Sequence, residues 1–157
     1  MYYEPVHLKH GAPSAPPDLR QSGRKLDLQV IFTDLPKTTA ALAAARIMAR
    51  GLGAHITLMV ARVVPYPLPL ATPDVPLEFT ERMLEHLARE ENDADTAIEI
   101  LLCRDRNETL RRAVPPDSLV IVGARKCRWW TTGLFSRDLS LVSMLRRDGR
   151  RVLVVTV

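Results

Sequence analysis

The chain has 157 residues, of which 46% are apolar and 25% charged, and its formal net charge is +4 at pH 7. These totals suit one ordinary globular domain with or without a tail, and they exclude a chain that is disordered throughout. No window approaches the roughly 18 consecutive apolar residues of a membrane-spanning helix. No apolar leader segment stands at the N-terminus. We therefore expect a cytoplasmic protein with no membrane partner.

Much of the positive charge falls in the last third of the chain. The residues are Arg104, Arg106, Arg111, Arg112, Arg125, Lys126, Arg128, Arg137, Arg146, Arg147, Arg150 and Arg151. Aromatic residues do not interleave with them as they do in single-strand binders, so a nucleic-acid partner is not expected. Two interpretations stay open. The basic residues are solvated, or they form an anion-binding face, because guanidinium groups suit phosphate.

The first 24 residues are rich in proline and glycine and show neither helical nor strand periodicity. Proline removes a backbone donor and disfavours helix in the residue before it. We predict a disordered, proline-rich tail over residues 1–24 and a single domain over 25–157.

Five short apolar segments then alternate with four amphipathic ones. Continuous apolar runs are typical of strands that are covered on both faces of a parallel sheet. Strands are predicted at 28–32, 55–64, 97–103, 118–124 and 151–157. Helices are predicted within 36–54, 77–92, 105–114 and 135–149. This alternation predicts a parallel sheet with helices on both faces.

Apolar residues at helical spacing indicate which face of each helix is buried. The inward residues are predicted to be Ala40, Ala43, Ala44, Ile47 and Met48 in the first helix, Leu77, Thr80, Leu84 and Leu87 in the second, and Leu139, Val142 and Leu145 in the last. Asp105 and Glu108 have the spacing of a capping box at the start of the third helix.

The order and spacing of these pieces resemble the universal stress protein family. Asp34 after the first strand, the alanine-rich helix and the segment GLGAHITLMVARVVPYPLP are similar to the first half of such a protein. The segment SLVIVGARK, a basic loop, a helix and the terminal VLVV are similar to the second half. The resemblance covers residues 26–157. It implies a three-layer α/β sandwich of the adenine nucleotide alpha hydrolase-like (HUP) type, with a five-stranded parallel sheet in the order 3-2-1-4-5.

With that strand order, the winding of the sheet reverses between strands one and four. Ligands of open α/β sheets bind outside the carboxyl ends of the strands at such a reversal. The candidate nucleotide- or anion-binding residues there are Asp34, Gly123, Arg125, Lys126, Ser136 and Arg137. ATP-binding members of the resembling family carry G-x-x-G, nine residues and then G-[S/T] after strand four, where glycines let backbone amides approach phosphates.

This chain departs from that motif. Gly123 fills the first glycine position, Lys126 stands at the second, and the closing pair is Ser136 and Arg137. Two interpretations remain open. Either the pocket is degenerate and no cofactor is bound, or basic side chains replace the amides and hold ATP with magnesium. Asp34 correspondingly either binds a ribose hydroxyl or the loop after strand four, or caps the first helix.

Two adjacent tryptophans lie in the segment after the fourth strand. Trp129 and Trp130 either contact a protein partner, as tryptophan often does at interfaces, or fold back as core.

The order 3-2-1-4-5 separates Cys103 and Cys127 by roughly three strand spacings, about 14 Å. A disulfide needs Cα atoms within about 7 Å. Both cysteines are therefore predicted to be free thiols.

The C-terminal strand is predicted at an edge of the sheet. An apolar edge strand invites pairing with another chain, and in the resembling family this strand commonly pairs two subunits. We therefore expect a homodimer built on Val152, Leu153, Val154, Val155, Thr156 and Val157.

The sequence shows no Ser-His-Asp order, paired carboxylates or metal cluster, and His55 and His86 fit structural positions. The leading hypothesis is a non-enzymatic stress-response protein that acts as a regulatory or protective homodimer, with no catalytic residues and no metal site. The alternatives are a nucleotide-binding switch with weak hydrolysis and a small adapter that docks through the Trp129–Trp130 loop.

Overall fold

The computed structural model describes residues 7–10, 26–70, 73, 76–89, 96–125 and 137–157. Within these residues the strands are β1 (His7–His10), β2 (Asp27–Ile31), β3 (His55–Val63), β4 (Thr96–Cys103), β5 (Leu119–Ala124) and β6 (Arg151–Thr156). The helices are α1 (Leu35–Leu52), α2 (Leu77–Arg89), α3 (Arg106–Ala113) and α4 (Arg137–Arg147). The described residues include no helix that is both long and apolar enough to cross a membrane.

The strands form one sheet in the order β1-β4-β3-β2-β5-β6. Four of the neighbouring pairs are parallel, β4 with β3, β3 with β2, β2 with β5 and β5 with β6. The five strands predicted from the sequence therefore lie side by side in the order 3-2-1-4-5, as the resemblance implied. The predicted α/β fold class is confirmed.

Two hydrophobic layers sandwich the sheet. On one face α1 and α2 pack through residues such as Leu42 and Leu84 against Leu58 of β3. On the other face Leu110 of α3 and Leu141 of α4 pack against the opposite side of the same strands. Both faces of the central strands are covered, because right-handed crossovers place successive helices on both sides of a sheet whose winding reverses.

The buried face of α1 differs from the predicted one. Its buried residues are Thr38, Ala41, Leu42, Ala45, Arg46 and Ala49. The predicted inward residue Ile47 is 69% exposed. The prediction was wrong because the alanines of this helix spread over more than one face, so the pattern of small apolar residues does not distinguish the buried one. The guanidinium of buried Arg46 donates to the carbonyl oxygens of Leu87 and Ala88, both at 3.0 Å, near the end of α2.

The other helices follow their predicted pattern more closely. Leu84 and Leu87 of α2 are buried, and Oδ1 of Asp105 accepts a 3.0 Å hydrogen bond from the amide of Glu108, which confirms the predicted cap of α3. In α4, Val142 and Leu145 are buried as predicted, but Leu139 is 40% exposed, and Leu141 takes the remaining inward position.

A strand that the sequence did not predict lies at the other edge of the sheet. His7–His10 pair antiparallel with β4, from His7 opposite Leu101 to His10 opposite Ile98. The prediction of a tail without strands is therefore wrong for these four residues. A four-residue strand is too short to show periodicity, and its pairing partner lies about ninety positions away along the chain.

Candidate nucleotide crevice

The winding of the sheet reverses between β2 and β5, which are neighbours and parallel. Asp34 follows the carboxyl end of β2 and precedes α1, while Gly123 lies near the carboxyl end of β5. Both residues lie against the first turn of α1, Asp34 by capping it and Gly123 by touching the backbone of Lys37. The structure thus brings these two sequence-predicted residues together at the reversal, where an open α/β sheet binds ligands.

Asp34 is the N-cap of α1. Its backbone is extended, with φ of −142°, and its Oδ1 accepts a 3.0 Å hydrogen bond from the amide of Lys37. Its Oδ2 lies 2.9 Å from Nζ of Lys37. Burial alone would raise the pKa of this carboxyl. The hydrogen bonds from Lys37 and the positive charges of Lys37 and Arg125 outweigh it and hold the pKa below its ordinary value. The helix-capping interpretation of Asp34 is therefore confirmed.

Lys37 connects the two helices that begin at the reversal. Its Nζ, besides contacting Asp34, lies 3.0 Å from Oδ2 of Asp138 in the first turn of α4. The side chains of Lys37 and Asp138 are only 16% and 13% exposed. The hydrogen bonds to Asp34 and then to Asp138 raise the pKa of the Lys37 ammonium above its ordinary value, although burial opposes them. Because α1 and α4 pack on opposite faces of the sheet, this ion pair crosses the carboxyl edge of the sheet between β2 and β5.

Arg106, at the start of α3, completes the cluster. One of its guanidinium nitrogens donates a 3.2 Å hydrogen bond to the carbonyl of Phe32 at the end of β2. The same nitrogen lies 3.7 Å from Oδ1 of Asp138. Asp138 therefore faces a cation on each side of the sheet. We call Asp34, Lys37, Arg106 and Asp138 the crevice ion cluster.

The crevice ion cluster changes what the crevice offers to a ligand. The first turn of a helix favours an anion because its amides and dipole are positive. In this chain the carboxylate of Asp138 already lies in the first turn of α4. The ammonium of Lys37 and the guanidinium of Arg106 are already engaged by carboxylate and carbonyl oxygens. Within the crevice ion cluster, an incoming phosphate would meet two carboxylates and two compensated cations.

Gly123 has a packing role. A side chain at this position would overlap the backbone of Lys37, whose carbonyl carbon would lie 2.6 Å from the added Cβ. Glycine is therefore required for α1 to approach β5 closely. Helix packing is therefore a sufficient reason for the one motif glycine that this chain retains.

The remaining predicted residues contribute less to the described site. Arg125 follows β5, is exposed, and helps to lower the pKa of Asp34 through its charge. The predicted residues that lie outside the described part of the chain are Lys126, Cys127, Trp129, Trp130, Ser136 and the side chain of Arg137. Three residues of the cluster, Lys37, Arg106 and Asp138, were not predicted as site residues. Asp138 directly follows a predicted one, but no local pattern indicates that it pairs with a lysine 101 positions away.

Cys103 ends β4 and is a free, buried thiol, as predicted. Its sulfur lies 3.5 Å from the carbonyl oxygen of Arg62, to which the S–H donates. Burial is the main reason that the pKa of the thiol is raised, and the nearby Asp105 adds to it. A thiol that stays protonated is a poor nucleophile, so Cys103 is suited to packing.

β6 lies at an edge of the sheet, as predicted, and pairs on its inner side with β5. Val152 and Val154 pack against the core on the α4 side, and Val155 packs on the α1 side. Leu153 and Val157 are 38% and 53% exposed. The outer backbone edge of β6 pairs with no other strand among the described residues.

The parallel sheet, its central reversal and the helices on both faces define a doubly wound α/β fold. No family model matches the chain, and no curated protein matches it. Among solved structures, the chain is similar to a protein from the universal stress protein family of Burkholderia pseudomallei. The two share 19% sequence identity with a TM-score of 0.62 over 85% of this chain and 98% of the other. The chain therefore has the fold of a universal stress protein.

Proposed function

We propose that this chain is a universal stress protein that acts without catalysis, as a regulatory or protective homodimer, and whose nucleotide crevice is closed by its own side chains. The observation that carries the proposal is the Lys37–Asp138 ion pair, which joins α1 to α4 at 3.0 Å across the sheet reversal. It supports the degenerate-pocket interpretation over the interpretation in which basic residues hold ATP with magnesium.

Electrostatics supports a crevice without a nucleotide. Asp34 and Asp138 both contact Lys37, so two carboxylates compensate one ammonium. Removing Asp138 from Lys37 to admit a phosphate would leave a partly buried carboxylate without its closest cation, which is costly in a poorly solvated site. The first turn of α4 therefore binds an anion less favourably than the start of a helix with a small hydroxyl residue does.

The non-enzymatic part of the proposal is supported by the chemistry of the titratable groups. Within the described ranges, no three histidine, cysteine or acidic residues are grouped to hold a metal ion. Cys103 is kept protonated by burial. The described side chains of the crevice engage one another in ion pairs, so the proposal assigns them a structural role with no catalytic residue and no cofactor.

The dimeric part of the proposal is supported by the edge position of β6. An exposed edge strand that contains apolar residues is a template for another strand, and Leu153 and Val157 add exposed apolar surface beside it. Two β6 strands related by a two-fold axis would pair with each other in a closed, isologous interface. The cytoplasmic location and the adapter role of the Trp129–Trp130 loop stay predictions from the sequence.

Thermal unfolding with ATP and magnesium tests the closed crevice. A ligand present at a hundred times its dissociation constant stabilises a fold by about 2.7 kcal/mol, so binding would raise the melting temperature measurably. We expect no shift for the wild-type chain at millimolar ATP. A reproducible upward shift would contradict the proposal.

Two matched variants identify the cause. Asp138→Asn removes the negative charge from the first turn of α4 while keeping the shape of the side chain. If the carboxylate excludes the phosphate, this variant gains a shift with ATP. Asp148→Asn removes an acid that pairs with Arg111 beyond the end of α4, and it should behave like the wild type.

Light scattering with size-exclusion chromatography tests the dimer. We expect twice the 17.6 kDa chain mass for the wild type and the single-chain mass for Leu153→Lys, because a charge at the pairing edge opposes strand addition. Ile47→Lys is the matched control, since Ile47 is also exposed and apolar, at 69%, but lies on α1. A wild-type monomer, or equal loss of the dimer in both variants, would refute the β6 interface.

A further inference from the structure

The edge of β4 is longer and more apolar than the strand that covers it. β4 has eight residues, and five of them, Ile98 and Ile100–Cys103, are buried and apolar. On its inner side it pairs with β3 along its whole length, from Thr96 to Cys103. On its outer side only Ile98–Leu101 have a described partner, and that partner is the four-residue β1.

β1 has the features with which proteins protect an edge from other chains. Natural sheets blunt their edges with very short strands and with charged residues, lysine especially. β1 has four residues, His7, Leu8, Lys9 and His10. Its presence replaces a long apolar edge by a short polar one.

β1 lies at an edge of the sheet, and its connection to β2 is long enough for it to leave while the other strands stay paired. It and β2 are separated in the sheet by β4 and β3, which is roughly 14 Å for three strand spacings. Residues 11–26 join the two strands, and a fully extended segment of that length reaches roughly 50 Å.

We propose that the β4 edge is a second self-association surface, which β1 covers within the same chain, and that its occupant on release of β1 is the β4 edge of another copy. β4 accepts β1 in the antiparallel direction. Two β4 strands related by a two-fold axis also meet antiparallel, so the second copy takes the place of β1 with the same sense of pairing. The interface is isologous and closes as a pair.

This surface lies at the opposite edge of the sheet from β6 and does not depend on the proposed function. If β6 also pairs, a molecule with both edges open binds a neighbour at each edge. Many copies then assemble into one continuous intermolecular sheet. β1 then limits assembly to the β6 dimer.

The test compares the wild-type chain with Leu8→Pro/Lys9→Pro in light scattering over a range of concentrations. Alternate residues of an antiparallel strand direct their amides to the partner, so one of the two prolines removes a ladder donor wherever the alternation begins. The matched control, Leu8→Ala/Lys9→Ala, keeps both amides. We expect the proline variant to form species of at least twice the wild-type mass as concentration rises, and the alanine variant to keep the wild-type mass.

A synthetic peptide of residues 1–10 supplies β1 from outside and should return the proline variant to the wild-type mass. Hydrogen exchange should show β4 amides protected in both the larger species and the peptide-treated protein. A proline variant of wild-type mass overturns the proposal, whether its β4 amides exchange faster or not. Larger species that persist in excess peptide also overturn it, because another surface then holds them.

A milder variant keeps the proposal testable if the proline variant does not fold. Lys9→Glu places like charges at register positions 9 and 99, which pair in the two strands and repel when directly opposite. We expect a concentration-dependent increase in mass that Lys9→Gln shows less strongly. Unchanged mass for Lys9→Glu at all concentrations counts against the proposal. A wild-type monomer that becomes a dimer on releasing β1 would support the β4 edge while refuting the β6 dimer, so the two proposals fail separately.

Discussion

Gly123 of β5 lies directly against the backbone carbonyl of Lys37 in the first turn of α1. This contact sets how closely α1 approaches the sheet at its reversal. The ammonium of the same Lys37 lies 3.0 Å from Asp138 on the other side of the sheet edge. The residue that most resembles a phosphate-binding motif therefore packs against the helix turn that carries Lys37.

Replacing Gly123 by alanine should destabilise the protein by about 1–3 kcal/mol, the usual cost of forcing an extra methyl group into a packed site. The clash is with backbone atoms of Lys37, which cannot rotate away. Gly51→Ala is the matched control, because nothing lies within 4 Å of a Cβ added there. Urea unfolding measures both variants. Equal stability of Gly123→Ala and wild type would contradict the close approach.

Replacing Asp138 by alanine should lower the free energy of unfolding by about 1.5–3 kcal/mol, as expected for the loss of a hydrogen bond between charged groups. Its side chain is 13% exposed and faces both Lys37 and Arg106. Glu85→Ala is the control, since it breaks a pair whose arginine, Arg89, is 80% exposed. That variant should change stability little, because exposed pairs are screened by solvent.

The charge of Lys37 predicts a loss of stability in alkali. Its pKa in the folded protein lies above the ordinary value of 10.5. The folded state therefore holds this proton more tightly than the unfolded state, and the stabilisation is fully present below pH 10.5. It is lost as the pH rises through the higher pKa of the folded state. Urea unfolding from pH 8 upwards, which begins about two units below the transition, measures this loss. The free energy of unfolding of Lys37→Met should fall less steeply with pH than that of the wild type.

Asp34 predicts the opposite dependence in acid. Its pKa in the folded protein lies below the ordinary value of 3.8, so its charge contributes stability above pH 3.8 that is lost as the pH falls through the lower pKa of the folded state. Asp34→Asn removes the charge but keeps a good N-cap, while Asp34→Ala also removes the cap, at about 1 kcal/mol. Asp34→Asn should lose the acid dependence together with the stability that the charge contributes at neutral pH, and Asp34→Ala should lose the contribution of the cap in addition. An unchanged acid profile in Asp34→Asn would refute the assignment.

Cys103 should not react with thiol reagents in the folded protein at neutral pH. It is 4% exposed, and burial raises its pKa. The measurement uses Cys127→Ser, in which Cys103 is the remaining cysteine of the sequence. A chromogenic disulfide reagent should label Cys103 promptly in denaturant. Without denaturant, the reagent should label Cys103 only at the rate of unfolding. Prompt labelling under native conditions would show that the end of β4 opens easily.

The helices show where sequence patterns are informative and where they are not. Leu84 and Leu87 stand out from charged neighbours, so the buried face of α2 was predicted correctly. In α1 the alanines spread over more than one face, and the buried face was predicted one position away from the observed one, which includes Ala41, Leu42 and Ala45. The observed face packs on the sheet, and in the first turn of the same helix the backbone of Lys37 closely approaches Gly123.

The sequence by itself determined the alternation of strands and helices, the cap of α3 by Asp105, and the resemblance that implied the strand order, while it left capping and ligand binding open for Asp34. These features depend on neighbours within a few residues or on the order of apolar segments. Only the tertiary structure decided the pairing of Lys37 with Asp138, the packing role of Gly123 and the antiparallel addition of His7–His10 to β4. Each of these depends on distances between atoms that the crossovers of the chain bring together from far apart, and no local periodicity encodes such distances.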